Sequence, residues 1–186
     1  MSGEFKQFSE PARLYAQYTE VVEKMERLFV EDIVSFLDAV RGRMQAKLEA
    51  GSKIGQEETK EYRNWWIEEE GDTNTDESYV PYLWLERKNE EIINPGVLTV
   101  FADLYEASDA EKRQVSALKS SLSLPANCKV LNQRLFAVAI SYGDEDPVEA
   151  VSEPILSILT ALHRVEKTIF AAREKSTPST KKKSKR

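Results

Sequence analysis

The sequence predicts an α+β fold, with long N- and C-terminal amphipathic helices packed with a small mixed sheet of three to four strands. Three observations predict it. Apolar residues near both ends recur at steps of three and four. The middle of the chain carries short runs rich in aromatic and β-branched residues. Ser108 with Glu111, and Asp146 with Glu149, have the spacing of capping boxes that open helices. The expected order is α-β-β-β-α-β-α.

The first helix spans 9–50. Ser9, Glu10 and Pro11 supply a capping hydroxyl, an acid for the first turn and an early proline. Leu14, Tyr18, Val21, Met25 and Leu28 form its stripe, which resumes at Ile33, Leu37, Val40, Met44 and Leu48. Straight, such a helix spans on the order of 55 Å, whereas a globule of this size is only about 40 Å across. Either it bends at Gly42 or one end overhangs the body, and an overhanging apolar stripe needs a partner helix. Gly51 is the expected stop.

The sheet and middle helix fill 61–145. Residues 51–60 are polar and read as a linker. The run 61–67 (EYRNWWI) reads as a strand, and an acidic loop follows at 68–78. The run 79–88 (YVPYLWLERK) is a second strand, placed at a sheet edge or bulge because Pro81 cannot donate to a ladder. Asn94-Pro95-Gly96 marks a turn before a third strand at 97–106. The helix from Ser108 to about Leu122 buries Val115, Leu118 and Leu122, and Pro125 ends it. Residues 130–142 contain RLFAVAISY, apolar enough to be a central strand.

The last helix spans 146–175. Its stripe is Val148, Val151, Ile155, Ile158, Leu162, Val165, Ile169 and Ala172. Pro154 lies inside the pattern, so either the first turns form a separate helix or the helix kinks there. Residues 1–175 are read as a single domain, and 176–186 as a disordered basic tail.

Composition narrows the functional classes. No apolar run approaches a membrane span and no signal peptide opens the chain, so a cytoplasmic protein is expected, with the nucleus added if the source is eukaryotic. Cys128 stands alone and reads as a small buried apolar residue. The net charge is −6, and the tail contributes five positive charges from Lys181, Lys182, Lys183, Lys185 and Arg186, leaving −11 on the rest. An acidic body disfavours broad phosphate binding. The tail offers weak, non-specific contact with nucleic acid.

Four constellations could carry chemistry. Glu86 and Lys88 follow an apolar run, as in the αβββαβ core of restriction-type nucleases, but such a site needs a second carboxylate to share a metal ion. If the next hairpin turns near Glu91 to Ile93, Asp103 lies about 15 Å from Glu86 along the ladder. Asp72, Asn74 and Asp76 alternate as in a calcium loop, yet Glu77 stands where glycine is required and Leu83 where a bidentate acid is required. Trp65, Trp66, Tyr79, Tyr82 and Trp84 concentrate aromatic surface, read first as core. His163, the only histidine, flanks the last stripe. No phosphate-binding glycine loop or nucleophile elbow is present, and no cofactor is expected.

The leading expectation is therefore a non-enzymatic interaction or regulatory protein. Its helices associate in a coiled-coil manner with another protein or, first, with a second copy. The expected interface is Met25, Leu28, Val40 and Met44 on the first helix and Leu162, Val165 and Ile169 on the last. The alternatives are a metal-dependent nuclease using Glu86 and Lys88, and an acidic immunity or inhibitor protein presenting the 68–77 loop to a basic partner.

Overall fold

The structure is a computed structural model that describes residues 10–59, 61–71, 82–86, 90–93, 95–104, 107–131, 136–143 and 146–176. Helix α1 (Glu10–Gln45) precedes strands β1 (Ser52–Glu58), β2 (Tyr62–Glu69), β3 (Tyr82–Glu86) and β4 (Val97–Asp103). Helix α2 (Asp109–Ser121), strands β5 (Cys128–Leu131) and β6 (Phe136–Ser141) and helix α3 (Pro147–Ser176) complete the chain. The class is α+β. The sheet is larger than expected: six strands in the order β1-β2-β3-β4-β6-β5. It is also wholly antiparallel rather than mixed.

Three local corrections account for the difference. The supposed linker at 51–60 is strand β1. Its sequence hides it because only Ile54 on its inner face is apolar, and Ile54 pairs with Ile67. The outer edge of β1 is satisfied by α1. Gln45 accepts from the Ile54 N–H and donates to the Ser52 carbonyl, and Arg41 donates to the Ile54 carbonyl. This shields an edge that could otherwise pair with another chain. Second, β3 lies between β2 and β4, not at an edge. Pro81 lies outside the described residues. Third, the apolar run 130–142 divides into β5 and β6. The β6 strand is interior but one place from the edge.

The inner face of the sheet and the helices enclose one core. Trp65, Leu83, Leu85, Leu98, Val100, Phe136, Val138 and Ile140 supply the sheet's share. Ile33, Leu37, Val40 and Met44 of α1, Val115 and Leu118 of α2, and Val151, Ile155, Ile158, Leu162 and Ile169 of α3 cover it. The capping box of α2 is complete: Ser108 N–H donates to Glu111 and Glu111 N–H to the Ser108 hydroxyl. Helix α3 runs through Pro154 without interruption. Proline cannot donate to the carbonyl of Ala150, four residues back. The Asn127 amide donates to that carbonyl instead, at 3.4 Å.

The other sheet face carries aromatics. Trp84 stacks on Phe101, with ring centroids 4.3 Å apart, and meets Tyr62 edge-on. Trp66 lies across Gly55, where an added Cβ would sit 2.3 Å from the indole nitrogen. Gly55 is therefore fixed by close approach rather than by a turn.

Candidate functional site

Helix α1 has 36 residues, about 54 Å at helical rise. Its two halves differ completely in environment. Ile33, Leu37, Val40 and Met44 are all buried. Leu14, Tyr15, Tyr18, Val21, Val22, Met25 and Leu28 are 38–75 % exposed. No described side chain from Glu10 to Leu28 is buried, and Phe29 is the first to pack on the core. The body's grip on α1 begins beyond it. Phe36 stacks on Tyr142 at 5.6 Å, Asp38 accepts from Arg63 at 2.7 Å, and Gln45 pairs with the β1 edge. Arg43 and Lys47 meet Glu149 of α3 at 3.0 and 2.5 Å. The first 19 residues of α1 thus project as a free helix about 28 Å long.

The exposed stripe prolongs the buried one only along one flank. Within 14–28 the steps are four and three, which hold one line along a helix. The step from Leu28 to Ile33 is five residues, a rotation of about 140° at about 100° per residue. Tyr15 and Val22 share the azimuth of Ile33 and Val40, about five turns farther on, while Leu14, Val21 and Leu28 set the rest of the outer stripe to one side of the core line. Tyr15 and Val22 widen that outer stripe on one flank, while Gln17 and Lys24 occupy the other. The apolar arc is therefore wider than the seam of a strict two-position repeat.

The expected interface residues therefore divide. Met25 and Leu28 are exposed on the free half. Val40, Met44, Leu162 and Ile169 are buried in the chain's own core, and Val165 packs against it. The sequence pattern could not separate the groups, because burial of a helix face depends on where the neighbouring elements end.

The second cluster was missed because Glu69 of β2 joins His163, Glu166 and Lys167 of α3 across 94 residues of sequence. His163 directs Nδ1 to Glu166 at 2.8 Å and Nε2 to Glu69 of β2 at 3.1 Å. Lys167 donates to the same Glu69 oxygen at 2.5 Å. The hydrogen bond to Glu166, and then that to Glu69, raises the His163 pKa against the opposing effect of burial. Lys167 and then His163 lower that of Glu69. Beside the quartet, a pocket of about 410 Å³ opens between Glu69–Gly71 and Glu166, Lys167, Phe170 and Ala171. Chemically the quartet is closed. Both ring nitrogens already face carboxylates, so the imidazole has no free nitrogen for a proton transfer or a metal. The arrangement ties α3 to the end of β2.

Glu86 is exposed at the end of β3, opposite Tyr62. The β3–β4 register places Tyr82 opposite Asp103, so Glu86 and Asp103 lie at opposite ends of the ladder. Lys88, the Asp72/Asn74/Asp76 alternation, Tyr79 and the tail from Lys181 to Arg186 lie outside the described residues. Among the described residues no group of three His, Cys, Asp or Glu side chains could hold a metal ion. No described helix is long and apolar enough to cross a membrane. Cys128 is half-buried, and burial pushes its thiol pKa up, the opposite of an activated nucleophile. Trp65, Tyr82 and Trp84 are buried, so these aromatics pack within the fold.

Comparison of the chain with protein-family models, with curated proteins and with solved structures finds no match in any of the three.

Proposed function

We propose that the protein is an interaction module that self-associates through the projecting half of α1. The observation that carries this is the exposed stripe from Leu14 to Leu28 on a helix whose other half is fully packed. Its seven large side chains present on the order of 800 Å² per copy, the share each partner contributes to a standard interface. That exceeds the largest apolar patch of a typical monomer, about 300–600 Å². A second copy carries an identical stripe and so supplies a matched occupant at equal concentration. Helices in proteins draw most of their stability from packing an apolar face, so pairing would stabilise the projecting half.

Sedimentation equilibrium tests this. The parent is expected at twice its chain mass of 21.2 kDa, dissociating on dilution. Met25→Glu should give the single-chain mass with an unchanged unfolding midpoint of the body. A parent that stays monomeric at high concentration overturns the proposal.

A further inference from the structure

Resting on that self-association, we infer that the two α1 helices pair antiparallel, with Leu14 opposite the second copy's Met25 and Tyr18 opposite its Val21. Two independent features of the free half lead there. The first is the asymmetry of its stripe. Along the 4-3 repeat, Tyr15 and Val22 lie on one flank of the central line and Gln17 and Lys24 on the other. When helices pair in parallel, each apolar flank faces the partner's opposite flank. Tyr15 would then lie against the second copy's Glu10 and Val22 against its Gln17, so neither apolar flank would meet another apolar flank. Antiparallel pairing brings the two apolar flanks together along one side. It leaves Gln17 and Lys24 of both copies on the other side, at solvent.

The second feature is length. The helix begins at Glu10, and packing on the body begins at Phe29. In the register that sets Leu14 against Met25, Glu10 of one copy reaches Phe29 of the other. The whole free half of each helix is thereby covered, and it stops where the opposite body starts. A parallel pair would instead force both bodies to the same end, where α3 and β1 already flank α1. Antiparallel helix dipoles also attract rather than repel. The resulting particle is a two-helix bridge about 28 Å long with a body at each end.

Cysteine pairing tests the orientation, with Cys128→Ser as the parent so that no other thiol is present. Chains carrying Leu14→Cys and chains carrying Met25→Cys should each fail to cross-link alone and should form a mixed disulfide dimer when combined. Efficient cross-linking of Leu14→Cys with itself would show parallel pairing and overturn the inference while leaving self-association intact. A second readout keeps every stripe residue. Nitroxides on Glu10→Cys should lie beyond about 28 Å for antiparallel helices, and within about 20 Å for parallel ones at packed interaxial spacing. Absence of both cross-link and dipolar signal, with monomeric mass, removes the inference and self-association together.

Discussion

The two halves of α1 have similar apolar content and spacing, yet one lies in the core and the other in solvent. Leu37, fully buried, and Leu14, 58 % exposed, are both on-stripe leucines of a single helix. Spacing fixes which face of a helix is apolar. It does not fix whether anything stands opposite. The inner half meets α3, β1 and β2 within its own chain, while the outer half has passed beyond them. Leu14, Val21 and Leu28 also sit to one side of the line that Ile33 and Val40 present to the core.

Truncating the same side chain on each half should separate the two halves most widely. Leu37→Ala should cost about 2–5 kcal/mol of folding stability, because it leaves a cavity in packed surroundings. Leu14→Ala should change the stability of the isolated chain by no more than about 0.5 kcal/mol. Urea denaturation at concentrations low enough to hold the monomer measures both. Equal losses would mean that the outer half is packed after all.

The anchor between the halves comes next. Arg63 is 1 % exposed and bonds Asp38 of α1 and Glu58 of β1. Asp38→Asn with Glu58→Gln leaves the buried guanidinium without these carboxylates, and should destabilise by about 3 kcal/mol. Replacing Arg63 as well, with methionine, should recover much of that loss. A double variant as stable as the parent would show that Arg63 does not hold α1 to the sheet. A smaller loss, about 1–3 kcal/mol, is expected for Gly55→Ala, since the new methyl must displace the Trp66 indole. Trp fluorescence and thermal unfolding report it.

Response to pH should separate the regions more gently. In the body, Arg173 first and Ser108 second hold the Glu111 carboxyl down at about 2, against the opposing effect of burial. Its stabilising contribution is present above the ordinary value near 4.5 and is lost as pH falls from there towards about 2. His163 is shifted upward, so its contribution is complete below the ordinary histidine range and declines as pH rises through the elevated folded value. Body stability should therefore weaken at both ends, and Arg173→Gln should flatten the acid side. The outer stripe holds no carboxylate, lysine or histidine, so the dimer dissociation constant should stay nearly level from pH 6 to 8. A dissociation constant that tracks body stability over that range would tie association to the core rather than to the projecting helix.

Part of the exposed stripe was legible in the residues themselves. Met25 and Leu28 follow from the 4-3 repeat, and helix length against globule size already implied a bend or an overhang. Val40, Met44, Leu162 and Ile169 follow the same repeat, and nothing in their spacing marks them as core. The His163 quartet was illegible for another reason: Glu69 lies 94 residues away in sequence, and only the fold brings it within hydrogen-bonding reach. Strand β1 escaped detection because an edge strand needs just one apolar residue facing inward. The carbonyl that Pro154 leaves free in α3 is met by Asn127, a donor from a distant turn that no helix pattern contains.

Local chemistry set by sequence alone determined the α+β class, the two terminal helices, the cap of α2 and the apolar outer stripe. Periodicity and capping are properties of neighbouring residues. Tertiary structure decided the six-strand antiparallel order, the closing of the His163 quartet and the division of α1 into a packed half and a free half. Each of those depends on which distant surface arrives opposite a given side chain, and where that surface ends.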